Sequence, residues 1–327
     1  MNILFEDTLK LLRKAYSLIG STPQLPELQC ETDKTTIQNM MIALLRSQKP
    51  CMIARFGSIE LDAVVNYEAV RDSHKHSLWK FIKGEERQWW WNRDIINSLQ
   101  TNAGFFPLTE ENVCRFAERM IADARQVDIL GSWRQQEYYL SNALQGARKV
   151  ALQHLEPAYF DNENDIPSWT AELKGKRVLV IHPFTETIKQ QYKRRDLLFS
   201  RPDILPEFDL LTLQAVQSIG GKVLGGAAEF SNWFEALKWM ENQMDAFQYD
   251  ICLIGCGAYG FPLAAHAKQT GHKAIHLGGA LQLLFGIKGK RWEERLRFQN
   301  IFNDYWVHPS KEETPETAVH VEGGCYW

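Results

Sequence analysis

Apolar positions along this chain fall into two alternating patterns. Over residues 4–18, Leu4, Leu9, Leu11, Leu12, Tyr16 and Ile19 recur at helical spacing, with Lys10, Arg13 and Lys14 on the other side. That pattern predicts an amphipathic helix, either docked on the domain or resting on an anionic membrane surface. A second such helix is expected over 35–47, ending before Pro50. Cys51-Met-Ile-Ala is then a continuous apolar run, as a strand buried on both faces requires. It meets Arg55, Phe56 and Gly57, and Ser58 opens a helix with Glu60 and Asp62 near its start. Helices are expected over 84–99 (carrying Trp89, Trp90 and Trp91), 110–124, 135–146, 185–199 and 231–245. Strands are expected over 127–131, 149–153, 177–182 and 210–213. Residues 249–277 complete the run as strand, glycine turn, helix and strand.

Such alternation predicts an α/β fold, a Rossmann-like, mainly parallel sheet with helices on both faces and an N-terminal helical extension. The extension would cover 1–48 and the α/β domain 49–327, with an internal boundary near the Pro-, Asp- and Asn-rich stretch at 156–172.

Composition narrows the setting. A net charge of −3 gives no global basicity of the kind that nucleic-acid binding requires. The six cysteines show no C-x-x-C spacing and read as reduced thiols of a cytosolic protein. Met1-Asn-Ile-Leu-Phe-Glu-Asp meets acid at once, unlike a secretory leader, and no apolar run approaches the roughly 18 residues of a membrane span. With 11 Trp and 17 Phe, the chain has aromatic surface on which sugar rings can stack, although most of these rings belong in a core.

Ligands of open parallel sheets bind beyond the carboxyl ends of the strands, and four such ends here are polar or glycine-rich. Gly255, Gly257 and Gly260 fit G-x-G-x-x-G, which lets backbone amides approach a phosphate, or simply makes a tight structural turn. Pro262 suits the first turn of the helix that follows, and Gly271 its cap. A nicotinamide site would place an acid about 20 residues on. This chain has His276-Leu277-Gly278-Gly279 there, which argues against an NAD enzyme. Arg55-Phe-Gly57-Ser58-Ile-Glu60 suits a pyrophosphate and its cation, or a capped helix with a solvated acid. His182, with Thr185 and Glu186, leads to Lys189, Lys193, Arg194 and Arg195, where a base and an anion clamp, or a solvated helix face, can sit. Gln217-Ser218 precedes Gly220, Gly221, Gly225 and Gly226, a loop able to fold over a ligand. Gly278 and Gly279 lead to Gln282, and beyond them Lys288, Lys290, Arg291 and Trp292 combine cations with an aromatic ring. Cys256 is a nucleophile candidate but reads better as a small buried residue.

Arg55-Phe-Gly-Ser-Ile-Glu60-Leu resembles the Arg-Phe-Gly-Asp-Gly-Glu-Leu signature of the GT-D class of glycosyltransferases. Arg194-Arg195-Asp-Leu-Leu-Phe199 and the run from Ile254 to Gly278 are similar to later segments of that class, so the resemblance spans roughly 45–290. It implies transfer of a sugar from a nucleotide-diphosphate donor, a UDP-sugar above all, to a cell-surface glycan or lipid-linked acceptor. The protein would be cytoplasmic and peripheral at the inner membrane face. In the class, an Asp-x-Glu pair supports Mn²⁺ or Mg²⁺ and the diphosphate. Here the first acid is Ser58, which leaves Glu60 as the expected metal ligand. Glu60, Glu186 and His182 are the catalytic candidates. Arg55, Gly57, Ser58, Arg194, Gly255, Gly257, Gly260, Gly278, Gly279 and Lys290 are the donor-binding ones. The rival expectation is a non-catalytic nucleotide-binding module in polysaccharide assembly.

Overall fold

A computed structural model describes residues 3–72, 76–161, 165–219, 222–224 and 230–327. In chain order the strands are β1 (Cys51–Ala54), β2 (Ile129–Ser132), β3 (Arg148–Ala151), β4 (Arg177–His182), β5 (Asp209–Gln214), β6 (Gln217–Ile219), β7 (Lys222–Leu224), β8 (Ile251–Ile254) and β9 (Lys273–His276). Seven of them form one parallel sheet in the order β3-β2-β1-β9-β8-β4-β5, and β6 and β7 pair antiparallel in a hairpin of their own. The helices are α1 (Ile3–Ile19), α2 (Lys34–Arg46), α3 (Ser58–Arg71), α4 (Leu78–Ile82), α5 (Arg93–Thr101), α6 (Glu110–Ala124), α7 (Thr185–Tyr192), α8 (Trp233–Asp245) and α9 (Gly260–Gln269). Three short ones follow, α10 (Leu281–Leu284), α11 (Lys290–Glu293) and α12 (Leu296–Gln299). The fold is α/β and Rossmann-like, with an N-terminal helix.

Strand side chains alternate between the two sides of a sheet, so each central strand feeds two cores. Met52 and Ala54 of β1, Leu179 and Ile181 of β4, and Cys252 and Ile254 of β8 pack with α3, α6, α8 and α9. Cys51 and Ile53, Val178 and Val180, and Ile251 and Leu253 face the opposite way, against α2, Trp169, α7 and α10. This is why the strands are apolar without a polar alternate position. The chain runs outward through β1, β2 and β3, and resumes on the other flank with β4 and β5. It then fills the middle with β8 and β9. The carboxyl ends of β1, β9, β8 and β4 therefore converge.

The helix expected over 84–99 begins only at Arg93, and Trp89–Trp91 lie in non-helical chain. Asn66 of α3 holds that chain by donating to the Trp90 carbonyl at 3.0 Å and accepting from the Asn92 amide at 2.8 Å, and Asn92 then caps α5. Residues 135–146 form one short 3-10 turn (Gln135–Leu140) rather than a helix, and α7 stops at Tyr192 instead of reaching 199. Gln217–Ile219, expected in a loop, is a hairpin strand, and Gly220, Gly221, Gly225 and Gly226 lie outside the described residues. The 156–172 stretch is stitched to α2. Gln38 accepts from the Trp169 amide at 2.9 Å and donates to the carbonyls of His154 and Glu156. Among the described residues, no helix is long and apolar enough to cross a membrane.

Candidate functional site

The converging strand ends open into a cleft of about 340 Å³, lined by Arg55, Glu60, Trp133, His182, Gly255 and Gly278 among others. β1 ends at Ala54, so Arg55 is the first residue past the strand, and Gly57 turns the chain into α3. The Arg55 guanidinium is half-buried, lies over the Trp133 ring at 5.2 Å, and has no hydrogen-bond or ion-pair partner among the described residues. Burial holds its pKa below the usual range, and the nearby Glu60 opposes that shift. Trp133 is fixed in turn by its indole N–H, which donates to the Phe56 carbonyl at 3.1 Å. A half-buried, partnerless cation held against an aromatic face is a cost to the empty fold, and an anionic ligand would offset it.

The 14-residue helix α3 starts at the same wall, where Gly57, Ser58, Ile59 and Glu60 line the cleft. Gly57 has no side chain to cap this N-terminus, and the Glu60 carboxylate takes up one of its first amides. Glu60 is 8% exposed, hydrogen-bonds its own amide, and folds back onto Gly57 so closely that a Cβ there would overlap its carboxylate. Burial raises the Glu60 pKa, and Arg55 opposes the rise.

Two buried histidines on the lining hold opposite tautomers. His182, at the end of β4, accepts at Nδ1 from the Phe184 amide at 3.0 Å, so its neutral ring carries the proton on Nε2. Burial pushes its pKa down to about 3. In that state it is a hydrogen-bond donor to a ligand rather than a base. His276, at the end of β9, donates from Nδ1 to the Ile254 carbonyl at 3.2 Å, which leaves Nε2 as an acceptor. Burial, with Arg55 adding to it, likewise holds His276 down to about 3.

The glycine turn is more a packing device than a phosphate cradle. The Gly255 amide bonds to the Ile181 carbonyl, Ala258 to Ala103 and Tyr259 to Cys256, so three of its amides are already used. A Cβ at Gly255 would lie 2.6 Å from the Gly278 carbonyl and 2.9 Å from the His182 ring. One at Gly260 would lie 2.2 Å from the His276 ring. Gly257, with φ +56°, and Gly278, with φ +61°, need glycine for backbone reasons as well.

The far wall is the C-terminal segment. Arg291 lies over the Tyr326 ring at 4.6 Å, donates to its hydroxyl at 3.0 Å, and pairs with Glu322. Three buried polar atoms of lining residues, the Ser218 hydroxyl, the Tyr259 hydroxyl and the Gln282 carbonyl oxygen, have no partner among the described residues. Such orphans carry a desolvation cost that a polar ligand would relieve.

Arg55, Gly57, Ser58, Glu60, His182, Gly255, Gly257, Gly278 and Gly279 of the expected site thus meet in one cleft. Gly260 sits one layer behind it, under His276. Glu186, Arg194 and Lys290 are not on its lining. Glu186 pairs with Lys189 at 2.6 Å, Arg194 is exposed, and Lys290 reaches toward Glu294 at 3.9 Å. Arg295, Glu322, Tyr326, Trp133 and His276 line the cleft without having been expected there. Of the cationic run at 288–291, Arg291 lines the cleft, whereas Lys290, expected to bind the donor, does not. Cys256 is buried and burial pushes its thiol pKa up, as a small packing residue requires.

The donor set does not fit a resident hard cation. Glu60 is tied to the start of its own helix, and Asp62 is held by Arg134 at 2.7 and 3.0 Å. Among the described residues, no group of three or more His, Cys, Asp or Glu is placed to hold a metal ion. No protein-family model, no curated protein and no solved structure matches this chain. The chemistry of the cleft has to be read from its own residues.

Proposed function

We propose that the cleft binds a nucleotide-diphosphate sugar, a UDP-sugar in the first instance, and transfers its sugar to a glycan or lipid-linked glycan on the cytoplasmic side. The observation that carries this reading is the partnerless Arg55 guanidinium beside the N-terminus of α3. The leaving nucleoside diphosphate gains charge as the glycosidic bond breaks, and fixed donors around it lower that barrier. Arg55, the Ser58 and Ile59 amides and the His182 Nε2–H are the donors suited to the task. Arg295, exposed on the rim, adds a further cation. The proton of the acceptor hydroxyl needs a base in an inverting transfer, and Glu60 is the carboxylate at hand. Its raised pKa makes it a stronger base than a solvated glutamate. No step is assigned to a metal.

One observation favours a second reading, a nucleotide-binding module without transfer. The Glu60 carboxylate is already engaged at its own helix start. Incubation with a panel of nucleotide sugars and a glycan acceptor, reading release of free diphosphate, separates the two. Turnover of one donor class is expected. Tight diphosphate binding without turnover on any donor would select the module, and neither binding nor turnover would overturn both.

A further inference from the structure

A cluster of exposed apolar side chains lies away from the cleft, on α1. Leu4, Leu11, Leu18 and Ile19 are between 67% and 88% exposed. At 3.6 residues per turn, Leu4, Leu11 and Leu18 follow one another in steps of about 20° and span about 40°, and Ile19, Leu12 and Phe5 extend that arc to about 140°. The opposite edge of α1 is docked. Leu9 is buried with Phe81 and Trp90, and Arg13 lies over Phe81 at 4.7 Å while donating to the Glu86 carbonyl at 2.8 Å. The outward leucines are therefore not a packing face left over by chance of register. The helix already has a separate face for its own core.

Between the two edges runs a cationic flank. Lys10, Arg13 and Lys14 line a groove of about 440 Å³ together with Ser17, Thr22 and Gln24. Lys10 and Lys14 are exposed and form no ion pair among the described residues. On α4, which packs against α1, Trp79 is also exposed, with Lys83 over its ring at 5.6 Å.

We infer that the outward face of α1 and its basic groove form a site for anionic phospholipid headgroups that holds the protein on a bilayer surface. An apolar row entering the headgroup boundary, cations along its edge and a tryptophan beside it are what an interfacial helix requires. Charge complementarity favours this occupant over a second copy. In a twofold antiparallel pair of α1 helices, the Lys10 and Lys14 flank would meet its own symmetry mate. A phospholipid surface presents the opposite sign.

The test uses the full chain and flotation with phosphatidylcholine vesicles, with and without phosphatidylglycerol, at low and high salt. The protein is expected to float with phosphatidylglycerol vesicles at low salt and to be released at high salt. Leu11→Glu combined with Leu18→Glu should abolish flotation. Lys10→Glu combined with Lys14→Glu, which keeps the apolar row, should weaken it about tenfold or more. All these side chains are exposed, and none lines the cleft, so diphosphate binding should be unchanged in both variants. Failure to float with phosphatidylglycerol vesicles would overturn the proposal. So would equal flotation on phosphatidylcholine alone, or a solution dimer that the Leu11→Glu, Leu18→Glu variant dissociates.

Discussion

Replacing Arg55 by alanine separates a ligand-binding arginine from a structural one. In the folded protein its guanidinium forms no ion pair and no hydrogen bond with the described residues, and its recorded contact is the Trp133 ring at 5.2 Å. Losing a cation–π contact of this half-buried group costs about 0.5–1 kcal/mol, and removing its unpaired charge offsets part of that. The melting temperature should therefore move by no more than a few degrees. A charge-assisted hydrogen bond to diphosphate contributes about 1.5–3 kcal/mol, so Arg55→Ala should weaken binding about tenfold to a hundredfold. Arg55→Lys keeps the charge but loses the planar fork, and should fall between the two. Calorimetric titration with UDP beside a thermal melt reads both quantities. A folded Arg55→Ala protein that binds UDP as the wild type does would refute the reasoning. A variant that fails to fold would show that Arg55 supports the fold after all.

Glu60→Gln should abolish transfer while leaving diphosphate binding within a few-fold, measured by donor turnover and titration. Normal turnover would remove Glu60 from the chemistry. EDTA should leave wild-type binding and turnover unchanged, whereas Ser58→Asp should create stimulation by Mn²⁺. Strong inhibition of the wild type by EDTA would mean that Glu60 and the diphosphate oxygens recruit a cation together. Burial pushes the Glu156 pKa up to about 7, opposed by Arg297, so the folded state holds that proton more tightly than the unfolded chain. Stability present at acid pH is then lost as pH rises from the ordinary carboxylate range through about 7, and Glu156→Gln should flatten that decline in melts across the window. An unchanged pH profile would mean Glu156 is solvated. Gly260→Ala should lower stability by about 1–3 kcal/mol, because the new Cβ would displace the His276 ring. Chemical denaturation showing no loss would place the ring elsewhere.

The parallel sheet was legible because its central strands β1 and β8 are short apolar runs with no polar alternate, which burial on both faces explains. Arg55, Gly57, Ser58 and Glu60 were legible for a related reason, since they directly follow such a run. What sequence could not supply was the direction of a side chain on a short element. Lys290 and Arg291 are neighbours in α11, and one residue along a helix turns a side chain by about 100°. Arg291 is fixed toward the cleft by Tyr326 and Glu322, which lie more than thirty residues away and follow no local pattern. Likewise Trp89–Trp91 fit a helical stretch until Asn66, from a different helix, takes up their backbone. The glycine turn was read correctly as strand, turn and helix. The reason for Gly260 lay in the His276 ring, which only the folded arrangement brings over it.

The central claim is that this cleft is a diphosphate site, and equilibrium titration of the wild-type protein tests it most directly. UDP, GDP, CDP, ADP and dTDP would be compared with their monophosphates and with NAD. One nucleoside diphosphate, expected to be UDP, should bind at least about tenfold tighter than its monophosphate, since a second phosphate adds a charge-assisted contact. It should also bind tighter than NAD. Equal affinity for the mono- and diphosphate, or NAD bound in preference to every diphosphate, would contradict the account.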